Sequence, residues 1–166
     1  MTKIHRLALV ALILFLCTGC DRLTKAAAQK MLAGAPPISL LNDTFRLQYM
    51  ENTGATLSLG ANLPAGVRFA FFVVFVGLIL SLTLFYALKT NELDWKQLAG
   101  LACLAAGGLG NLIDRLANNG AAVDFMNFGI GPLRTGILNF ADLFIVAGAG
   151  IFVFYSLRAE KQATTA

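Results

Sequence analysis

Val67–Leu88 reads VRFAFFVVFVGLILSLTLFYAL, an apolar run whose single charge, Arg68, stands at its edge. A helix rises about 1.5 Å per residue, so about 20 apolar residues bridge the hydrocarbon of a bilayer. The stretch predicts a membrane span, and three more accompany it. Residues 97–115 open with QLAGLACLAAGGLGNL and close on Asp114-Arg115, while residues 137–157 (ILNFADLFIVAGAGIFVFYSL) enclose Asp142. Residues 4–20, an apolar run behind Lys3 and Arg6, supply the first span. Composition agrees: the 166 residues are 57% hydrophobic and 13% charged, against about 25% charged in ordinary soluble domains. The predicted fold is an all-α membrane protein, a four-transmembrane-helix bundle forming one domain over residues 1–166. Its links of 21–66 and 116–136 lie on one face.

The net charge of +4 and pI near 9.2 do not point to nucleic acid, because the 13 Lys and Arg residues are scattered without a basic run. Anchoring at an anionic lipid surface accounts for them. The basic N-terminus places the termini on the cytoplasmic side. Cys17, Cys20 and Cys103 lie in or beside apolar stretches, an odd number without regular spacing, so they read as packing residues rather than a disulfide framework. His5 is the only histidine, which leaves no Ser-His, Cys-His or HExxH arrangement. Within the link 21–66, Phe45, Leu47 and Tyr49 alternate with polar residues, and Ala55–Leu59 alternate again after Glu51-Asn52-Thr53-Gly54. That pattern predicts a small β hairpin on the membrane surface. The glycines at 100, 107, 108, 110, 148 and 150 predict close helix packing.

Four spans bring the polar residues to one membrane face: Asp21 and Lys25 after the first, Asn52 before the second, Asn111, Asp114 and Arg115 closing the third, Asn139 and Asp142 opening the fourth, and Asp124 between them. Asn111, Asp114 and Arg115 share a helix side, and Asp21 and Lys25 stand at ion-pair spacing. Asp142 is the most informative. An ionisable group inside a span is costly, so it normally faces the bundle interior and has a task. Two close carboxylates in a poorly hydrated site share a proton, one taking a proton from water and the other protonating a leaving group. Asp114 and Asp124 are the alternative partners. Arg115 follows Asp114 and predicts an ion pair there, whereas Asp124 has apolar neighbours that favour a raised carboxyl pKa.

These blocks resemble a known family. GNLIDR (Gly110–Arg115), VDF (Val123–Phe125) and NFAD (Asn139–Asp142) are similar in order and spacing to signature segments of lipoprotein signal peptidase, and DRLTK (Asp21–Lys25) and NTGATLS (Asn52–Ser58) resemble its two earlier ones. The resemblance implies an intramembrane aspartyl protease of the bacterial cytoplasmic (inner) membrane, working near the periplasmic face. It would remove the signal peptide from diacylglyceryl-modified prolipoproteins, cutting before the lipidated cysteine. Asp124 and Asp142 then form the catalytic dyad. Asn52, Gly54, Asn111, Asp114, Arg115, Asn139, Asp21 and Lys25 bind substrate or position the dyad. It further implies a periplasmic β cradle, with Phe45–Leu59 as candidates, and a surface amphipathic helix starting at Ala26–Leu32. Membrane lipid and a globomycin-type cyclic peptide inhibitor are expected partners of a monomer, with no metal, cofactor or nucleic acid. Arg22, Thr56-Leu57 and Leu138 depart from the usual pattern, which bears on substrate and inhibitor preference.

Two other readings exist: a small transporter or scaffold, and a chain that is itself a lipoprotein modified at Cys20 in Cys17-Thr18-Gly19-Cys20. The expected intact mass of the membrane-extracted protein retains residues 1–19. A mature chain beginning at a lipidated Cys20 would contradict this and remove the first span.

Overall fold

In the computed structural model, which describes residues 1–55 and 59–164, the first helix does not stop at the polar residues. α1 runs unbroken over Lys3–Leu32, capped at its start by Thr2. Its 30 residues give a rod of about 45 Å, longer than a hydrocarbon layer of about 30 Å. The span expected over 4–20 lies within this longer helix, and the surface helix expected from Ala26–Leu32 is the last part of α1. Apolar length measures the membrane, not the helix. Asp21 and Lys25 find partners inside the bundle, so the polar turn continues as helix. Gly34, with φ of 76°, and Pro36-Pro37 end it.

Two short helices and a π-helical turn make a second rod: α2 (Ala65–Phe69), the π turn (Ala70–Phe75) and α3 (Val76–Lys89). α4 (Trp95–Ala117) starts with a capping box, in which Asp94 accepts from Gln97 N at 2.7 Å and Gln97 Oε1 from Asp94 N at 2.9 Å. α5 spans Phe140–Thr164. Among the described residues, Lys3–Leu32, Ala65–Lys89 and Phe140–Gln162 are long and apolar enough to cross a membrane. α4 is the inner helix, packed against α1, α3 and α5, with Gly100, Ala102, Ala105, Ala106, Gly107, Gly108 and Gly110 all buried. At the end away from the polar residues, buried Arg6 donates to the carbonyls of Ala87 (2.7 Å) and Leu93 (3.1 Å), stapling α1 to the α3–α4 link.

The chain is mostly helical but not all-α. The two expected links build a four-stranded antiparallel sheet in the order β1 (Ile38–Leu40), β2 (Phe45–Asn52), β3 (Ala122–Ile130), β4 (Leu133–Leu138). β2 is an inner strand of this sheet. Its partners are β1 and the distant β3, with Phe45 opposite Phe128 and Asn52 opposite Ala122. Ala55 N donates to the Leu59 carbonyl; the local hairpin expected of Ala55–Leu59 falls on Thr56-Leu57-Ser58, which lie outside the described residues. β4 also takes Ile137 and Leu138 from the expected fourth span, so α5 begins at Phe140. Phe125 and Met126 of β3 pack on Ala28 and Leu32 of α1, seating the sheet on that helix.

α4 and α5 meet backbone to backbone. A Cβ at Gly148 would stand 2.6 Å from the Gly100 carbonyl, and one at Gly100 would stand 2.8 Å from Phe152 N, whereas Gly150 has open space. Gly148→Ala should therefore force the helices apart and destabilise by about 1–3 kcal/mol. Gly150→Ala should be neutral or slightly stabilising. Thermal unfolding of the two proteins in one detergent checks this, and equal midpoints would contradict it.

Candidate functional site

NFAD forms a reciprocal cap at the start of α5. The Asn139 Oδ1 accepts from Asp142 N and Asp142 Oδ2 accepts from Asn139 N, both at 3.0 Å. This is the capping-box arrangement with an amide and a carboxylate in the two roles. It leaves the Asn139 amide group free to donate outward, to Asp124 Oδ1 at 2.6 Å, Asn111 Oδ1 at 3.0 Å and the Val123 carbonyl at 3.2 Å. One residue thus joins the helix carrying Asp142 to the strand carrying Asp124.

Below it lies a buried ion cluster. Lys25, 2% exposed, has three oxygens at 2.8 Å from its Nζ: Asp21 Oδ2, Asp114 Oδ2 and Asn111 Oδ1. Asp114 Oδ1 also pairs with Arg22, and its Oδ2 accepts from Val123 N at 3.1 Å. Asp21 Oδ1 accepts from Ala141 N at 2.9 Å, capping α5 from another helix. Gly110 is required here, since a Cβ would stand 2.5 Å from Asp21 Oδ2. Asp21, Asp114 and Lys25 are buried, and the partly exposed Arg22 completes the charge balance at the edge of the cluster.

The cluster dictates polarity above it. A lysine only donates, so Asn111 must turn its Oδ1 to Lys25, and its Nδ2 then donates to Asp142 Oδ1 at 2.9 Å. Asn52 is oriented in the same manner: its Oδ1 accepts from Gly54 N at 3.0 Å, and its Nδ2 donates to Asp124 Oδ2 at 3.0 Å. Each aspartate is held by two amide donors. Arg115 donates to the carbonyls of Gly54 (2.7 Å) and Asn111 (3.3 Å) and stacks over Phe72 at 5.5 Å.

Asp124 and Asp142 line one cleft of about 20 Å³ with Asn52, Asn111, Arg115 and Ala122, which is room for a water. All ten residues expected at the site are brought together, in two layers: Asp124, Asp142, Asn52, Gly54, Asn111, Arg115 and Asn139 around the cleft, and Asp21, Lys25 and Asp114 beneath it. The expected Asp114–Arg115 ion pair is absent; Asp114 is taken by Arg22 and Lys25. Sequence reasoning missed Arg22 as a partner and Phe72 as the platform for Arg115. The position of Arg22 one turn before Lys25 was the available signal.

Helices packed on a buried polar core beneath a small sheet define the fold. The same fold is found in a bacterial membrane enzyme solved in meso at 2.3 Å resolution, with a TM-score of 0.76 and 21% identity over 92% of this chain and 90% of that one. A second, solved at 1.9 Å, gives a TM-score of 0.75. The description "Signal peptidase (SPase) II" matches residues 13–158. The chain is 33% identical to the lipoprotein signal peptidase of Borrelia hermsii over 166 residues, covering 96% of each. It is 35% identical to that of Leifsonia xyli subsp. xyli over 92% of this chain and 67% of the relative. The chain belongs to the signal peptidase II family.

Burial raises the Asp124 carboxyl from 3.8 to about 6, with Asp142 adding to the rise and the bonds from Asn52 and Asn139 opposing it. The folded protein therefore keeps a proton that the unfolded chain has released between those values, and stability falls as pH rises through that interval. Asp124→Asn should flatten this slope. Parallel curves of unfolding midpoint against pH for wild type and variant would contradict the assignment.

Proposed function

We propose that this member of the signal peptidase II family cleaves lipoprotein precursors as an aspartyl protease, with Asp124 and Asp142 activating a water between them. The observation that carries the reading is that the two carboxylates line one water-sized cleft and are linked through Asn139 and Asn111. In the reaction, one carboxylate takes a proton from water as its oxygen attacks the carbonyl preceding the lipidated cysteine. The other, protonated, polarises that carbonyl and then gives its proton to the leaving amine. Burial favours the protonated form of Asp124, which suits it to the second role and leaves Asp142 as the base. Asn52, Asn111 and Asn139 hold the carboxylates. Arg115, tied to Gly54, orients the loop over the cleft, and Asp21, Lys25 and Asp114 fix the layer below.

The substrate is a diacylglyceryl-prolipoprotein, whose lipid anchors it beside the cleft. In this reading residues 1–166 form one domain. α4 crosses as a fourth span sheltered by the others, its Asn111, Asp114 and Arg115 gathered at one end. The protein sits as a monomer in the bacterial inner membrane, cleft and sheet at the periplasmic face and both termini cytoplasmic. A globomycin-type cyclic peptide would compete for the cleft.

Purified protein with a lipidated prolipoprotein tests the mechanism. Asp124→Asn and Asp142→Asn should each lower turnover by roughly 10³-fold or more while the protein still inserts and unfolds cooperatively. Asp114→Asn should instead lose folded protein, because it leaves Lys25 and Arg22 without their shared carboxylate. Full activity in either dyad variant, or lost turnover with unchanged folding in Asp114→Asn, would overturn the assignment.

A further inference from the structure

Outside the carboxylate cleft, a larger cavity of about 520 Å³ opens where the second rod begins and α4 ends. Its polar lining comes from Arg68, Arg115 and Asn119, and its apolar lining includes Phe69 and Leu116. Two features single it out. First, both cations are left to backbone carbonyls. Arg68 donates to the Ala61 carbonyl at 2.6 Å and Arg115 to those of Gly54 and Asn111. Among the described residues neither arginine has a carboxylate within ion-pair distance, and the Arg115 Nε is a buried donor without a partner. Second, the rim is greasy. Phe69 is 51% exposed and Leu116 61%, beside a rod apolar enough to cross a membrane.

Two guanidinium groups from separate elements, facing a cavity with no acid in its lining, match a tetrahedral phosphate, whose oxygens accept the planar forks. Exposed apolar side chains next to them, at the end of a spanning helix, match acyl chains rather than a soluble anion. The ends of a spanning helix meet the polar headgroup region that flanks the hydrocarbon on each side, where lipid phosphates lie.

We propose that Arg68 and Arg115 bind the phosphate of an anionic glycerophospholipid, with its acyl chains lying along Phe69 and Leu116. This lipid is neither the substrate nor in the carboxylate cleft. Arg115 lines both spaces, so the phosphate would sit in the cavity that adjoins the cleft of Asp124 and Asp142.

Native mass spectrometry of the detergent-extracted protein tests this, with phosphatidylglycerol, phosphatidylcholine or inorganic phosphate added separately. Wild type should retain one phosphatidylglycerol in preference to phosphatidylcholine. Arg68→Gln should bind it roughly tenfold more weakly, as the loss of a charge-assisted bond implies, and Arg158→Gln, an equal change of charge on α5, should not. Unfolding in phosphatidylcholine should be the same for wild type and Arg68→Gln; if Arg68→Gln does not fold, Arg68→Lys replaces it, with weakened retention expected. Inorganic phosphate should not displace the lipid. Equal retention by wild type and the Arg68 variant, no preference for phosphatidylglycerol, or displacement by free phosphate would each overturn the proposal.

Discussion

The structure turns on a single buried ammonium. Lys25, enclosed by Asp21, Asp114 and Asn111, is the point at which α1 and α4 are joined, and its two acids extend the connection. Asp21 reaches the Ala141 amide in the first turn of α5, and Asp114 reaches the backbone of β3. Removing any member of such a group leaves a charge in low dielectric, with a penalty of about 3–5 kcal/mol. Intact, it locks three helices and a strand at the height where the carboxylates converge.

Polarity then passes upward through amides. Because the ammonium can only donate, Asn111 has one orientation available, and the reciprocal cap of α5 gives Asn139 one as well. Both aspartates consequently face donors, a geometry set before any substrate arrives. Preorganised dipoles of this kind do not have to reorient during a reaction. The close backbone contact of α4 with α5 at Gly100 and Gly148 belongs to the same design, since it fixes how far Asn111 stands from Asp142.

Much of this was legible in the chain. The i,i+4 relation of Asp21 to Lys25, the gathering of Asn111, Asn139 and Asp142 at one end, and the isolation of Asp124 among apolar neighbours all follow from spacing. What was not legible is non-local. The alternation in Phe45–Tyr49 reports a half-buried strand but not its partner, and the pairing with β3 reaches across some seventy residues, as in Met50 opposite Asp124. The continuation of α1 beyond residue 20 was not legible because an apolar count ends where polarity begins, whereas here the polar residues are satisfied within the helix bundle. Arg115 was expected beside Asp114 by adjacency, yet neighbours in a helix point about 100° apart, and Asp114 faces Arg22 and Lys25 instead.

The proposed chemistry stands on direct attack by water held between two carboxylates. A single turnover in ¹⁸O-labelled water, followed by mass spectrometry of product and enzyme, addresses it most directly. One labelled oxygen should appear in the new carboxyl group of the released signal peptide, and none in Asp124 or Asp142. Label in either side chain would reveal a covalent acyl-enzyme and contradict the account.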